Sequence, residues 1–220
     1  MPPVIATADT SVSEAARTSF QAGEAAPLPG HLVGREDAPV RLVEYVSYTC
    51  SHCAAFEAEA GSVLKQDFAG QGRISVEIRH LVRDPIDLTV AMLANCGPST
   101  RFIMNHSRLL QAQDLWVGKI RATTPDQRAR YDTGSAATQR QAIARDAGLY
   151  DLMQQWGYDA AALDQCLADE AMARTLAERT INHMADGVTG TPSFAINGEL
   201  LPSTHGWQAL QPQLEARLDD

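Results

Sequence analysis

The chain contains no apolar run approaching the roughly 18 residues that a bilayer-spanning helix needs, and no internal repeat. It also lacks a basic excess: 18 Lys and Arg stand against 27 Asp and Glu, a formal net charge of −9. That balance opposes non-specific attraction to nucleic acid or anionic lipid. The charge is spread along the chain with no acidic tail, which suits plain solubility. The N-terminal stretch MPPVIATADTSVSEAARTSFQAGEAAPLPG has no basic region and no apolar core beyond Val4-Ile5-Ala6, so it is no secretory signal as it stands. Residues 1–30, rich in Ala, Pro, Ser and Gly, read as a flexible leader. A cytosolic chain and an exported chain already trimmed both fit. Zinc pairing is missing too. His31, His80, His106, His183 and His205 show no H-x₃₋₅-H spacing and there is no second C-x-x-C, which disfavours a structural metal site.

What is present suits an ordinary globular protein. At 220 residues, 45% of them hydrophobic, the chain can bury a substantial core as one domain with an insertion or as two small ones. APVRLVEYVSY, residues 38–48, is rich in β-branched and aromatic residues and reads as a central strand. The helical period of Phe56, Ala60, Val63, Leu64 and Phe68, with Ala55, follows and ends at Gly70 and Gly72. Residues 73–82 alternate Ile74, Val76 and Ile78 with polar neighbours, a second strand. Strand, helix and strand form one parallel, right-handed βαβ unit.

From Ile86 to Asp186 the spacing predicts helices over about 88–110, 125–147, 149–156 and 160–184, with Gly148 and Gly157 as C-terminal caps. In this block Phe102, Trp116, Trp156, Met153, Met172 and Met184 read as packing residues. GVTGTPSFAINGELL then returns to strands, with Asn197-Gly198 as a type I′ hairpin turn. An amphipathic helix from about His205 closes the chain with Trp207, Leu210, Leu214 and Leu218.

Three features carry chemistry. YTCSHC places Cys50 and Cys53 three apart where a strand ends and a helix begins. Unpaired amides and the positive dipole end would stabilise a Cys50 thiolate there, and a cationic His52 would add to this. Cys53, one turn inward, would be shielded. Glu44 stands six positions before Cys50 in an apolar strand. Alternation puts positions 44, 46, 48 and 50 on one side, so its carboxyl can lie beneath the sulfurs and exchange a proton with Cys53. An edge glutamate facing water is the alternative. Finally, Thr191-Pro192 precedes the strand of Ser193 to Ile196; its peptide bond is either a trans turn bond or cis.

Together these residues resemble the thioredoxin-fold disulfide oxidoreductases of the DsbA type, from about His31 to the C-terminus. The likeness is carried by APVRLVEYVSYTCSHC, the helical block and GVTGTPSFAINGELL. It implies an α/β thioredoxin fold built from residues 31–85 and 187–220, with residues 86–186 as an inserted helical domain. Cys50 resembles the exposed nucleophile, Cys53 its buried partner, Glu44 the buried acid, and Thr191-Pro192 the cis-proline loop. Thr191, Pro192 and Ser51 are then the substrate-contacting positions. The best-known family motif is C-P-H-C, whereas this one is C-S-H-C. Retaining His52 favours an oxidant, and Ser51 replaces proline's rigidity with a hydroxyl able to bond a thiolate.

The resemblance further implies substrate proteins or peptides bearing thiols, a membrane oxidant as recharging partner, and a periplasmic location. It implies no cofactor beyond the Cys50–Cys53 redox disulfide. A thiol reductase or isomerase on the same scaffold, and a non-catalytic chaperone or binding module, remain the alternatives. Cys96 and Cys166 are either free cysteines in a helical core or, as in some exported relatives, a structural disulfide. Arg79 and His80 read as the solvated end of a strand.

Overall fold

The computed structural model describes residues 30–219, so the expected leader falls outside it except for Gly30. β1 (His31–Gly34), β2 (Val40–Val46), β3 (Ile74–His80), β4 (Ser193–Ile196) and β5 (Glu199–Leu200) form one sheet in the order β1-β3-β2-β4-β5. β2 is central and parallel to β3, and α1 (Ser51–Val63) makes the crossover between them. α1 continues into a wider π-type turn, residues 64–69, which buries Leu64, Phe68 and Ala69 before the chain re-enters the sheet. Ala55 faces solvent, outside the apolar stripe expected of it.

Between β3 and β4 the chain is helical: α2 (Pro85–Ala94), α3 (Phe102–Gln111), α4 (Gln113–Arg121), α5 (Pro125–Ala129), α6 (Ala136–Asp146), α7 (Leu149–Gln155), α8 (Ala160–Ala168) and α9 (Glu170–Ala185). α10 (Trp207–Leu218) follows β5 and packs Trp207, Leu210 and Leu214 into the core. The fold is therefore α/β with an inserted helical block.

Three of the long helices expected from periodicity are interrupted. The first stops at Asn95, where Gly97 turns at φ +84° and Pro98 is extended. The second breaks before Ser135, whose side chain accepts from the Thr138 amide and starts α6. The third breaks at Asp169, which caps α9 through the Met172 amide. Apolar spacing runs on across such breaks, while the capping side chains set them locally. β1, only four residues long and paired antiparallel to β3, carried too little pattern to be expected as a strand.

The sheet is covered on both faces, which reverses two expectations. His80 is buried, not solvated, and Arg79 is held by Glu77 at 2.9 Å. Glu77 itself lies in the sheet because Arg41, at 2.6 Å, and Arg79 both neutralise it. Met184 is 60% exposed, so it fills no gap in the helical block. The hairpin turn is as expected, with φ +51° at Asn197 and +87° at Gly198. Cys96 and Cys166 form a disulfide across 70 residues, joining the segment after α2 to α8, with a Cα–Cα distance of 5.6 Å.

Candidate active site

Cys50 ends the loop after β2 and is the N-cap of α1, with extended backbone and no side-chain cap bond. The amides of Cys53 and Ala54 reach back to the Cys50 carbonyl at 3.1 and 3.3 Å and begin the helix. The first-turn amides of His52 and Cys53 also reach the sulfur. Two buried side chains from the helical block hold this loop. Asp87 of α2 accepts from the Tyr48 amide and the Ser47 hydroxyl, both at 2.7 Å, and from the Arg83 amide at 3.0 Å. Gln113 of α4 donates to the carbonyls of Tyr48 and Cys50, at 2.6 and 2.9 Å. Neither residue was singled out by the sequence. A lone Asp and a lone Gln in helical stretches carry no local signal.

Sheet register brings in the distant loop. β4 runs antiparallel to β2 with Ser193 opposite Tyr45 and Phe194 opposite Glu44, so the residues just before β4 meet the residues just after β2. The Thr191–Pro192 peptide bond is cis. His205 bonds the Pro192 carbonyl at 2.8 Å, and the Ser193 hydroxyl bonds that of Gly190. The Cys50 thiol lies 3.2 Å from the Thr191 carbonyl oxygen.

Cys50 and Cys53 are free thiols in unlike surroundings. A hydrogen bond from the Cys53 thiol is the largest influence on Cys50. The Thr191 side chain and the amides of Cys53 and His52 assist, and against the opposing effect of burial they bring it down from 9.0 to about 4. The neutral thiol has one acceptor in Thr191 O, but the thiolate has several donors, and the donors win. Cys53 is pushed far up, first by burial and then by the neighbouring Cys50. Glu44 is buried in the central strand, which removes the edge-glutamate alternative. Its Oε1 has no hydrogen-bond partner among the described residues. Burial, reinforced by the charge of Glu57 and eased by Lys65, raises it to about 8, so it is protonated at neutral pH. Its charge, when present, is felt by Cys53.

The structure thus brings Cys50, Cys53, Glu44, Thr191 and Pro192 together. Cys50 is only 6% exposed, less than the exposed nucleophile expected, because it opens into a cleft and not onto the outer surface. Ser51 and His52 are both exposed, and the His52 backbone amide is among the donors to Cys50. The cleft, of about 530 Å³, is lined by Cys50, His52, residues 81–83, Met184 and residues 188–191.

Comparison with known proteins agrees with this geometry. A family model described as Thioredoxin matches residues 28–216. The crystal structure of a protein-disulfide isomerase from Novosphingobium aromaticivorans is similar at a TM-score of 0.83 with 44% identity, over 87% of this chain and 98% of that one. Wolbachia pipientis alpha-DsbA1 shares the fold at a TM-score of 0.65 and 20% identity, over 88% and 93% of the two chains. A Rickettsia bellii protein, provisionally named a protein-disulfide oxidoreductase, is 28% identical over 76% of this chain and 56% of its own length. The chain spans about half the length of the curated relatives it matches. With its sheet, its inserted helices and its paired cysteines, the chain belongs to the thioredoxin family and is built as the DsbA-type members are.

Proposed function

We propose that this protein is a thiol:disulfide oxidoreductase that introduces disulfides into substrate proteins through the Cys50–Cys53 pair. The observation that carries the reading is the split between the two sulfurs, one held at about 4 and the other pushed far up. In the oxidised protein a substrate thiolate attacks Cys50 Sγ. A substrate–Cys50 bond forms, the Cys50–Cys53 bond breaks, and its electron pair leaves on Cys53, which takes a proton with help from Glu44. A second substrate thiolate then attacks the substrate sulfur and expels Cys50 as a stabilised thiolate. The substrate ends with a disulfide and the protein as a dithiol carrying both electrons.

Thr191 supports this cycle. Its carbonyl is occupied by a Cys50 thiol proton, but neither the thiolate nor the disulfide has that proton to give. In those states the carbonyl is free to pair with an extended substrate chain, and Pro192 brings no amide to compete. Recharging requires an external oxidant, and the family resemblance points to a membrane quinone reductase. The Cys96–Cys166 bridge favours an oxidising compartment such as the periplasm.

The isomerase reading has one observation in its favour, the name of the Novosphingobium relative. Equilibration with glutathione mixtures separates the readings. A potential near about −120 mV supports the oxidase, about −180 mV an isomerase, and about −270 mV a reductase, which would overturn the proposal. Cys50→Ala should abolish turnover, whereas a binding module would be left nearly untouched.

A further inference from the structure

We propose that Arg83 gives the cleft a charge preference, selecting substrate segments that carry a carboxylate next to the reacting cysteine. The inference rests on the thiol-exchange reading above. In a chain where acidic residues outnumber basic ones 27 to 18, the cleft around Cys50 is lined, among the described residues, by Arg83 and His52 and by no Asp or Glu. The remaining lining side chains are apolar or neutral, with Leu81, Val82, Met184 and Val188 forming an apolar wall.

The nearby carboxylates are engaged elsewhere. Asp84 caps α2 through the Asp87 amide at 2.8 Å, and buried Asp87 accepts from the Tyr48 amide and the Ser47 hydroxyl of the redox loop. Among the described residues no ion pair holds the Arg83 guanidinium, although its own amide is fixed by Asp87 at 3.0 Å. Arg83 also borders a second cavity of about 400 Å³, where Asp84 and Arg140 share the wall; only on the Cys50 side does it face no acid. The side chain is exposed, and its amide is held by Asp87, the same side chain that accepts from Ser47 and Tyr48 of the redox loop. A guanidinium so placed can take a carboxylate in two parallel hydrogen bonds, and an apolar wall beside it strengthens the attraction. The substrate class this fits is a polypeptide segment with Asp, Glu or a terminal carboxylate flanking the cysteine.

The test uses the full chain with the Cys50–Cys53 disulfide formed and excess single-cysteine peptides bearing Asp, Asn or Lys on either side of the cysteine. Two peptide thiols become one peptide disulfide as the protein disulfide becomes two thiols, and the protein's reduction is read by thiol trapping and mass spectrometry. Each rate is divided by that of the same peptide with a neutral small-molecule disulfide, which removes differences in peptide thiol acidity. At low salt the Asp peptide should react roughly tenfold faster than the Lys peptide, with the ratio shrinking at high salt. In Arg83→Gln the ratio should fall to about one, and in Arg83→Glu it should invert. The same ratio in all three proteins, or no charge preference in the parent chain, overturns the inference while leaving thiol exchange intact. No reaction with any peptide overturns the thiol-exchange reading itself.

Discussion

The Cys50 sulfur lies 3.2 Å from the carbonyl oxygen of Thr191, a residue 141 positions away in the chain. The pairing of β2 with β4 creates this contact, since Ser193 stands opposite Tyr45 and the two loops leave the sheet side by side. The redox pair and the proline loop are thus positioned by strand register, which a one-residue slip would destroy.

Thiolate absorbance of the reduced protein should rise with a midpoint near pH 4. Thr191→Val should move that midpoint upward by removing one donor. Because the folded value is depressed below 9.0, Cys50 contributes stability to the reduced form that is complete above about pH 9 and lost as pH falls through about 4. Denaturation of the reduced protein across this range, compared with Cys50→Ser, measures the effect. A midpoint near 8.5 would refute it.

Glu44→Gln should act in the opposite sense. The folded carboxyl keeps its proton up to about pH 8 while the unfolded one loses it near 4.5, so stability falls as pH rises between these values. Relative to the variant, the parent chain should therefore lose up to about 3 kcal/mol between pH 4.5 and 7, a difference that separates this carboxyl from the opposite slope contributed by Cys50. Release of Cys53 should also slow, by roughly a hundredfold if Glu44 supplies its proton. Urea melts at several pH values and stopped-flow trapping of the mixed disulfide would check the two effects separately.

Replacing both Cys96 and Cys166 with Ala should cost about 4 kcal/mol, the loop-closure estimate for a bridge of this separation. Thiol counting on the denatured, unreduced parent should find this pair blocked. Four free thiols in an air-exposed sample would contradict the bridge.

Gln113→Leu removes the two bonds that fix the carbonyls of Tyr48 and Cys50. A loss of about 1–3 kcal/mol in stability is expected, from stranding two buried acceptors. If Gln113 also sets the geometry of the first helical turn, the Cys50 midpoint should rise in the folded variant. An unchanged midpoint would make the residue a purely structural clamp.

Much of the site could be read directly from the sequence, for identifiable reasons. Cys50, Cys53 and Glu44 share one strand and the helix that follows it, so period and spacing place them relative to one another. The Asn197-Gly198 turn announces itself through the backbone angles it requires. Helix breaks at Asn95 and Asp169 did not, because the apolar pattern persists through a break that a single capping side chain sets. Asp87, Gln113 and Arg83 were likewise invisible: each matters through a partner far away or through the cleft it borders.

The grip of Gln113 and Asp87 on the redox loop makes the four-residue motif only one part of the instrument. Two chains with an identical Cys-Ser-His-Cys could differ in sulfur acidity because helices more than thirty residues downstream seat that loop differently. The inserted block would then serve as a rheostat placed behind the panel, letting oxidising strength drift while the visible motif stays the same.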